Sequence, residues 1–315
     1  MNALYYAKSF IYNALPSFFF RWKYGQLKRF EKICDQKELD ARLDYYFKVQ
    51  NKFPIPKEAT AVKDVKRGKG TAYFLDLKEF LHYFTKEARF AYYFGDDTNV
   101  NPHPTLFKAR PIGNGNENSI LFKLNKRRHF KWVNDTIPYT EKKDMMVWRG
   151  GAYRALRRKM IEKIWDHPLC NVGQTNKPVE DVPWQKEHLP IEEQLKYKII
   201  FCPEGNDVAT NLKWVMSSNS LCFMPKPRYE TWFMEGALQA GVHYVEVNAP
   251  YDDLGEKIEY YSKHTDEAQE IIKNANQHVA RFQDEMMEDL LCLKVLERYA
   301  ECSGQENEIK FRTRL

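Results

Sequence analysis

Several signatures that identify well-known protein classes are missing from this sequence of 315 residues. Neither glycine-rich phosphate-binding motif is present, G-x-G-x-x-G or G-x-x-x-x-G-K-S/T, and without the serine nucleophile motif G-x-S-x-G hydrolase chemistry has no support. Cysteines at C-x-x-C spacing and His, Asp and Glu at metal-ligand spacing are also lacking, which argues against a bound metal. With only 14 glycines and 15 prolines, collagen-like and proline-rich classes are excluded.

The composition is that of a folded protein with a large core. Hydrophobic residues make up 43% of the chain and aromatic residues 15%, which excludes global disorder, and the length fits two domains or one large one. The 49 lysines and arginines exceed the 43 aspartates and glutamates, giving a mild net charge of +6 that suits an anionic small ligand or a membrane surface. Because no concentrated basic stripe with stacking aromatics is present, we expect no nucleic-acid partner.

The six cysteines are predicted to be buried thiols in a reducing compartment rather than disulfides. A chain of this length builds a sufficient core without covalent staples, and Cys202 and Cys222 lie inside apolar, strand-like runs. The other four are Cys34, Cys170, Cys292 and Cys302.

The N-terminal residues 3–20 are apolar and aromatic and contain a single charge, Lys8. They end in Phe-Phe-Phe rather than in the small residues of a secretory signal, and Pro16 and several polar positions argue against a membrane span. A basic stretch follows that contains Arg21, Lys23, Lys28, Arg29 and Lys32, with Glu31 as the one acidic residue. Two interpretations stay open: a helix packed on the domain with solvated basic residues, or an interfacial segment resting on anionic lipid.

We divide the chain into an N-terminal helical segment at 1–50, which is the candidate for membrane association, two α/β domains at 51–144 and 145–282, and a C-terminal helix and tail at 283–315. In the second domain, short apolar runs alternate with amphipathic ones, which predicts a parallel sheet wound with helices. The strands predicted there are 145–148, 169–172, 197–202, 220–224 and 243–247, and the helices are 153–165, 208–217, 252–262 and 268–282. For the first domain we predict strands at 71–76 and 89–94, a helix at 77–87, and loops over 98–118.

Two loops that follow predicted strands of the second domain are candidates for binding an anionic ligand. A turn formed by Arg149, Gly150 and the next glycine opens a helix that carries Arg154, which places a guanidinium and backbone N–H groups at one point. The second loop contains Asn206 and Asp207, either of which is a candidate N-cap. The helix after it carries Asn211 and Lys213. The plainer alternatives are a turn glycine before a solvated basic helix, and a helix cap without further function.

A carboxylate follows the predicted strand 89–94 in the first domain, at Asp96 or Asp97. Such a residue can act as a general base in a cleft. The alternative is an Asx turn or a helix cap, which a Gly-Asp-Asp sequence also favours. The two aspartates are adjacent and so lack the Asp-x-Asp spacing that holds a divalent cation with a nucleotide diphosphate.

An ordered series of motifs runs through most of the chain. It consists of Met-Val-Trp-Arg-Gly at 146–150, the run 198–221 with Glu-Gly-Asn-Asp and Asn-Leu-Lys-Trp, Glu-Thr-Trp-Phe at 230–233, His-Tyr-Val at 243–245, Asp-Leu at 253–254 and an Ala/Asn-rich helix near 268–279. In this order, over roughly residues 70–285, the chain resembles glycosyltransferase family 90. The sequences at 123–126 and 204–207 are most similar to those of the bacterial lipopolysaccharide core branch of that family.

The resemblance implies a GT-B-like α/β fold with two Rossmann-like domains facing a cleft, the acceptor side at 51–144 and the donor side at 145–282. It implies inverting, metal-independent transfer from a nucleotide-sugar donor to a lipid-linked lipopolysaccharide or lipooligosaccharide core acceptor. The nucleotide sugar is a co-substrate and no cofactor is expected. The implied location is the cytoplasmic face of the inner membrane, with peripheral contact to anionic lipid. Two alternatives stay open: transfer to a protein or a capsule polysaccharide, and a non-catalytic module that binds a nucleotide sugar or a lipid.

The resemblance also implies roles for individual residues. Asp96 matches the family's base, an aspartate that deprotonates the acceptor hydroxyl, and Asp97 is its rival. Eukaryotic members carry Ser-x-Arg where this chain has Ala209 and Asn211, so a phosphate-binding arginine is missing there and the donor is not identified as UDP-glucose or UDP-xylose. The predicted donor-binding residues, taken from the two loops and the family match together, are Arg149, Gly150, Arg154, Asn206, Asp207, Asn211 and Lys213.

Overall fold

The computed structural model describes residues 2–68 and 70–312 of the chain. The helices are α1 Asn2–Asn13, α2 Ser17–Glu31, α3 Gln36–Tyr46, α4 Thr71–Leu81, α5 Lys126–His129, α6 Ala155–Ile164, α7 Ile191–Gln194, α8 Leu212–Met216, α9 Leu254–Lys263, α10 Thr265–Ala280 and α11 Glu285–Cys302. The strands are β1 Thr60–Ala61, β2 Arg89–Phe90, β3 Thr105–Phe107, β4 Ala109–Pro111, β5 Ser119–Leu121, β6 Lys143–Gly150, β7 Cys170–Gln174, β8 Tyr197–Phe201, β9 Leu221–Met224, β10 Tyr229–Thr231 and β11 Val245–Glu246.

The chain folds into two compact units, and the first of them is assembled from separate parts of the sequence. Unit 1 comprises the residues up to Arg128, Tyr229–Met234 and the residues from Phe282 onward, and unit 2 comprises His129–Arg228 and Glu235–Arg281. The helices at the two ends of the chain belong to unit 1, because α11 packs against α2, α3 and α4. The division falls at residue 128, whereas the sequence predicted a boundary near residue 145. The acceptor and donor roles assigned to the two ranges stay predictions.

Two of the unit 1 helices begin at capping aspartates. The Asp35 carboxylate accepts hydrogen bonds from the backbone N–H groups of Lys37 and Glu38, at 3.0 and 3.1 Å, where α3 begins. Asp284 does the same for Met286 and Met287 at the start of α11, at 2.9 and 3.2 Å. Each carboxylate satisfies N–H groups that have no partner inside the helix and lies at the positive end of the helix dipole.

The strand predicted at 71–76 is wrong, because these residues form the first half of α4. Seven of the eleven α4 residues are buried, so the polar positions that would reveal a helical period are nearly absent. A short apolar run of this kind is compatible with both a buried strand and a buried helix.

The strands of unit 1 form two-stranded sheets: β1 with β2, β4 with β10 and β3 with β5. A bridge between Tyr92 and Leu106 places the segment after β2 parallel to β3, and β3 is parallel to β5. The carboxyl ends of these three segments therefore point the same way, although the open Rossmann-like sheet expected for the first domain is not seen in the described residues. The loops predicted over 98–118 contain β3 and β4, which the sequence reading missed.

Unit 2 is built on a parallel sheet with the strand order β11-β9-β8-β6-β7. Met146 of β6 pairs with Ile199 of β8 on one side and with Cys170 of β7 on the other. The strands and the helices packed on them bury one apolar cluster that includes Trp148 and Phe223. The parallel α/β sheet predicted for this region is confirmed.

In the part of the chain that the structure describes, no helix is both long enough and apolar enough to cross a membrane. The six cysteines are all free thiols, and those at 170, 202, 222 and 292 are buried. Burial raises the pKa of the Cys170 thiol to about 12, so this sulfur stays protonated at neutral pH.

Candidate active site

The strand order of unit 2 predicts a ligand crevice at the carboxyl ends of β6 and β8. If the strands are counted in chain order from β6, the sheet reads 2-1-3-4-5, which is the flavodoxin-like order. Chain connections run in opposite directions from the first and third strands, so the loops after them diverge and leave a crevice. These loops are 151–154 and 202–211, which contain most of the residues predicted to bind a donor.

The sequence predicted that Gly150 lies in a turn, but the structure shows that it is the last residue of β6. Its carbonyl accepts a hydrogen bond from the backbone N–H of Thr175 at 3.0 Å, which ties the end of β6 to the loop after β7. A Cβ atom at Gly150 would lie 2.7 Å from the ring of Trp148, so any side chain here would displace a core tryptophan.

Arg149 lies in β6, and its guanidinium is held against β7. Nη1 donates to the backbone carbonyls of Asn171 and Trp148 at 2.7 and 2.9 Å, and Nη2 donates to the side-chain oxygen of Asn171 at 2.7 Å. Burial lowers the pKa of Arg149 from its ordinary value. Among the described residues, no carboxylate forms an ion pair with it.

Lys186 adds a second cation beside Arg149. Its Nζ donates to the same Asn171 oxygen at 3.3 Å, and burial and the charge of Arg149 together lower the Lys186 pKa. Lys186 also lines a cavity of about 850 Å³ with Tyr153, Asn176 and other residues. The volume is in the range of small-molecule sites, and the neighbouring positive charge suits an anionic ligand.

Arg154 joins the two loops of the crevice. It occupies the N-cap position of α6, is exposed, and its Nε donates to the side-chain oxygen of Asn206 at 2.6 Å. Two donor-binding predictions from different loops are therefore brought together, and an arginine stands at a helix N-terminus where anions bind readily.

Arg157 stabilises both loops, a role that the sequence reading did not assign to it. Its guanidinium donates to the carbonyls of Gly151, Pro203 and Glu204 at 3.1, 2.9 and 2.9 Å. The same group lies over the Trp148 ring, 5.7 Å from the centroid. The available sequence signal was its position three residues after Arg154, on the same helix face.

The loop after β8 differs from its predicted form, because α8 begins at Leu212 and not at 208. The N-cap position is Asn211 and so neither Asn206 nor Asp207 caps the helix. Instead, the Asn211 amide donates to the carbonyl of Phe201 at 2.9 Å and fixes the loop to the end of β8. Asp207 is buried, and its carbonyl accepts from the Gly205 N–H at 2.9 Å.

Lys213 is fully buried, which the sequence did not predict, and its contact with a donor stays a prediction. Its ammonium pairs with the carboxylate of Glu235, which is also buried. A cation compensated in this way contributes little field outside the core. The burial of Lys213 was not visible from the sequence, because its partner lies 22 residues further along the chain.

In unit 1, Asp96 follows the segment that is parallel to β3, close to where the sequence placed it. Its carboxylate accepts from the Tyr73 hydroxyl at 2.9 Å, forms an ion pair with buried Lys108, and lies 3.4 Å from Nη1 of Arg128. Burial alone would raise the pKa of Asp96, but the charge and hydrogen bond of Lys108, the Tyr73 hydrogen bond and the Arg128 charge outweigh it and lower the pKa. Asp96 is therefore ionised at neutral pH.

Asp97 has a different environment from its neighbour. Its carboxylate accepts from the backbone N–H of Asn99 at 2.9 Å, which forms an Asx turn. The structure thus gives the turn role to Asp97 and the cationic surroundings to Asp96. Within 2–68 and 70–312, no group of three or more His, Cys, Asp or Glu side chains is arranged to hold a metal ion.

A parallel α/β unit with an arginine at a helix N-terminus beside its switch point is typical of proteins that bind phosphorylated small molecules. The sequence profile of glycosyl transferase family 90 matches residues 122–313, and the chain belongs to this family. It is a glycosyltransferase, as the sequence motifs led us to expect. The alternative of a non-catalytic module is set aside by this result.

Two relatives show how the similarity is distributed. The O-glucosyltransferase LpsA of Dichelobacter nodosus is 42% identical over 277 residues, which cover 87% of both chains. The O-glucosyltransferase rumi homolog of Aedes aegypti is 30% identical over 117 residues, which cover 36% of this chain and 28% of the relative. The bacterial protein is thus similar over nearly the full length, and the insect protein over one segment.

Proposed function

We propose that this protein transfers glucose from a nucleotide sugar to a lipopolysaccharide or lipooligosaccharide core acceptor, with inversion and without a metal. The observation that carries the proposal is the 42% identity, over 87% of both chains, to a bacterial protein named as an O-glucosyltransferase. The insect relative carries the same activity in its name. The motifs shared with the bacterial lipopolysaccharide branch support the acceptor, a GT-B architecture, and action at the cytoplasmic face of the inner membrane.

The donor diphosphate is assigned to the crevice after β6 and β8. A diphosphate that leaves without a metal needs positive groups in fixed positions. Arg154, bound to Asn206, supplies a guanidinium at the loop after β8, while Arg149 and Lys186 supply two more charges beside Asn171 of β7. The eukaryotic arginine that is missing at Asn211 is replaced in this proposal by Arg154, which reaches the same loop from α6. Lys213 acts from the core, where its pair with Glu235 stabilises the loop and α8.

Asp96 is proposed as the base that takes the proton of the acceptor hydroxyl. Inverting transfer needs one carboxylate opposite the leaving group, and an ionised carboxylate is ready to accept a proton. The lowered pKa of Asp96 makes it a weak base that is ionised and ready to accept a hydrogen bond from the acceptor hydroxyl. The Lys108 ammonium keeps the carboxylate oriented.

The proposal is tested by product analysis with a panel of nucleotide sugars and truncated core acceptors. We expect one hexose to be added from a nucleotide-glucose donor, with anomeric inversion seen by NMR and equal rates in EDTA and in Mg²⁺. A product formed only with another sugar would overturn the donor, and a product formed only on protein or capsule polysaccharide would overturn the acceptor. A rate abolished by EDTA would overturn the metal-independent mechanism.

Replacing Arg154 with methionine is expected to weaken binding of a nucleoside diphosphate about ten- to a hundredfold, the loss of one charge-assisted contact. Isothermal titration calorimetry measures the change. The matched control is Lys163→Met, which removes an exposed cation from the last turn of the same helix. If both variants bind the nucleotide as the parent does, Arg154 is not a donor ligand.

Replacing Lys108 with methionine is expected to move the acid limb of the kcat/KM profile to higher pH. The carboxylate of Asp96 must be ionised to act as a base. Removing Lys108 raises the pKa of Asp96, because of the three groups that offset the effect of burial only Arg128 and Tyr73 then remain. The variant therefore loses more activity at low pH than at high pH. A loss of equal size at every pH would show that Lys108 serves stability only.

A further inference from the structure

The side of α1 that faces away from unit 1 is apolar. One side of the helix packs on the protein, where the Tyr5 hydroxyl donates to Asp76 at 2.6 Å and Asn13 contacts His82 at 3.0 Å. On the other side Leu4 and Ile11, seven residues apart and thus on one stripe, are 60% and 66% exposed. Because an amphipathic helix normally turns its apolar residues toward the protein, exposed apolar residues on the outer side of α1 indicate a surface that a partner covers.

The exposed side of α2 combines aromatic and basic residues. Phe18 and Trp22, one turn apart, are 74% and 56% exposed. Arg21 and Arg29 are exposed on the same helix. Aromatic rings beside arginines are the composition of helices that lie in the headgroup region of a bilayer.

The two helices pack against each other where α1 ends and α2 begins. Around Pro16 the ring of Tyr12 contacts the rings of Phe19 and Phe20, with centroids 5.6 and 5.5 Å apart. We define the N-terminal face by nine exposed apolar and basic residues of α1, α2 and the turn after α2: Leu4, Lys8, Ile11, Phe18, Arg21, Trp22, Arg29, Lys32 and Ile33.

Every charge on the N-terminal face is positive. Lys8, Arg21, Arg29 and Lys32 form no ion pair with a carboxylate in the described chain. Glu31 is the one acidic residue before residue 35. Its carboxylate oxygens form ion pairs with the Nζ atoms of Lys28 and Lys294, at 3.0 and 2.8 Å. Unit 1 thus pairs Lys23 and Lys28 with carboxylates but not these four cations, of which Arg21 lies over the Phe311 ring, 5.8 Å from its centroid.

The charge distribution decides which partner fits. A second copy of the chain would bring four cations against four, which repel each other. An anionic bilayer offers headgroups for the cations and an acyl boundary for the apolar side chains. We propose that the N-terminal face binds the surface of an anionic lipid bilayer. This surface rests on its own observations and is independent of the sugar that the enzyme transfers.

The test is co-sedimentation of the full chain with vesicles of phosphatidylcholine alone or mixed with phosphatidylglycerol. We expect binding to the mixed vesicles that falls as salt is raised, because the charges are exposed. The double variant Ile11→Glu and Phe18→Glu is expected to bind at least about tenfold more weakly, since it places two carboxylates in the acyl boundary. The control Ile55→Glu changes an exposed isoleucine outside the face and should bind as the parent does.

Equal binding of the parent and the double variant to the mixed vesicles would overturn the proposal. Equal binding to neutral and anionic vesicles would also overturn it. So would light scattering that shows a dimer for the parent and a monomer for the double variant. Transfer to a water-soluble truncated acceptor is measured on the same samples. If the double variant keeps that activity but no longer binds the mixed vesicles, the result supports the N-terminal face as the lipid-binding surface. If no nucleotide sugar gives a product but vesicle binding behaves as expected, only the proposed reaction fails.

Discussion

Replacing Asp96 with asparagine is expected to lower kcat for sugar transfer by about two to four orders of magnitude, the usual contribution of a general base. Asparagine keeps the shape of the side chain but cannot accept a proton from the acceptor hydroxyl. Binding of the nucleotide should be unchanged, because the predicted donor residues belong to unit 2. Product analysis measures the rate, and thermal stabilisation by the nucleoside diphosphate measures binding.

The matched control for this variant is Asp97→Asn, one residue away. Within the described part of the chain the Asp97 carboxylate accepts one local backbone hydrogen bond, and an asparagine oxygen can accept the same bond. The control should therefore keep most of the parent's kcat. If Asp97→Asn is inactive and Asp96→Asn is active, the roles of the two aspartates are exchanged. Activity in both variants would remove this loop from the mechanism.

Replacing Lys213 with methionine is expected to lower the free energy of unfolding by about 3–5 kcal/mol, the range for breaking a buried ion pair. The Glu235 carboxylate would remain in the core of unit 2 without its ammonium partner. Urea denaturation followed by tryptophan fluorescence measures the loss. An unfolding free energy close to that of the parent would show that the pair contributes nothing to stability.

The double variant Lys213→Met and Glu235→Leu separates a structural role from contact with the donor. Removing both charges together leaves no buried ion without a partner, so much of the lost stability should return. The KM for the nucleotide sugar in the refolded double variant should then stay within a few-fold of the parent value. A stable double variant that no longer binds the nucleotide would return Lys213 to the donor site.

The sequence predicted the parallel sheet of unit 2 well because its signal is local and repeated. Apolar runs such as 197–202 and 220–224 are separated by helical segments, and each maps onto a strand, β8 and β9. The position of the loops at the carboxyl edge followed from the same alternation. The strand order, and with it the crevice between β6 and β8, depended on long-range pairing that the alternation does not encode.

The errors arise where tertiary contacts decide the local structure. Residues 71–76 form a helix because α4 is buried on several sides, which hides its period. Arg149 stays in β6 because its guanidinium bonds to Asn171 in the neighbouring strand, which holds it in register. In the same way, the basic residues of α6 did not indicate which arginine is exposed. Arg154 is, whereas the guanidinium of Arg157 donates hydrogen bonds to three backbone carbonyls.

The interleaved path of the chain has a consequence for how the protein is made. All of unit 2 has been synthesised once the ribosome reaches Arg281, when unit 1 still lacks α11. That helix supplies Glu288, whose carboxylate pairs with Arg42 at 2.5 Å and Lys123 at 2.6 Å deep in unit 1. Unit 1, whose first residues are synthesised before unit 2, is therefore completed after it. Its core cannot form fully until α11 has been synthesised.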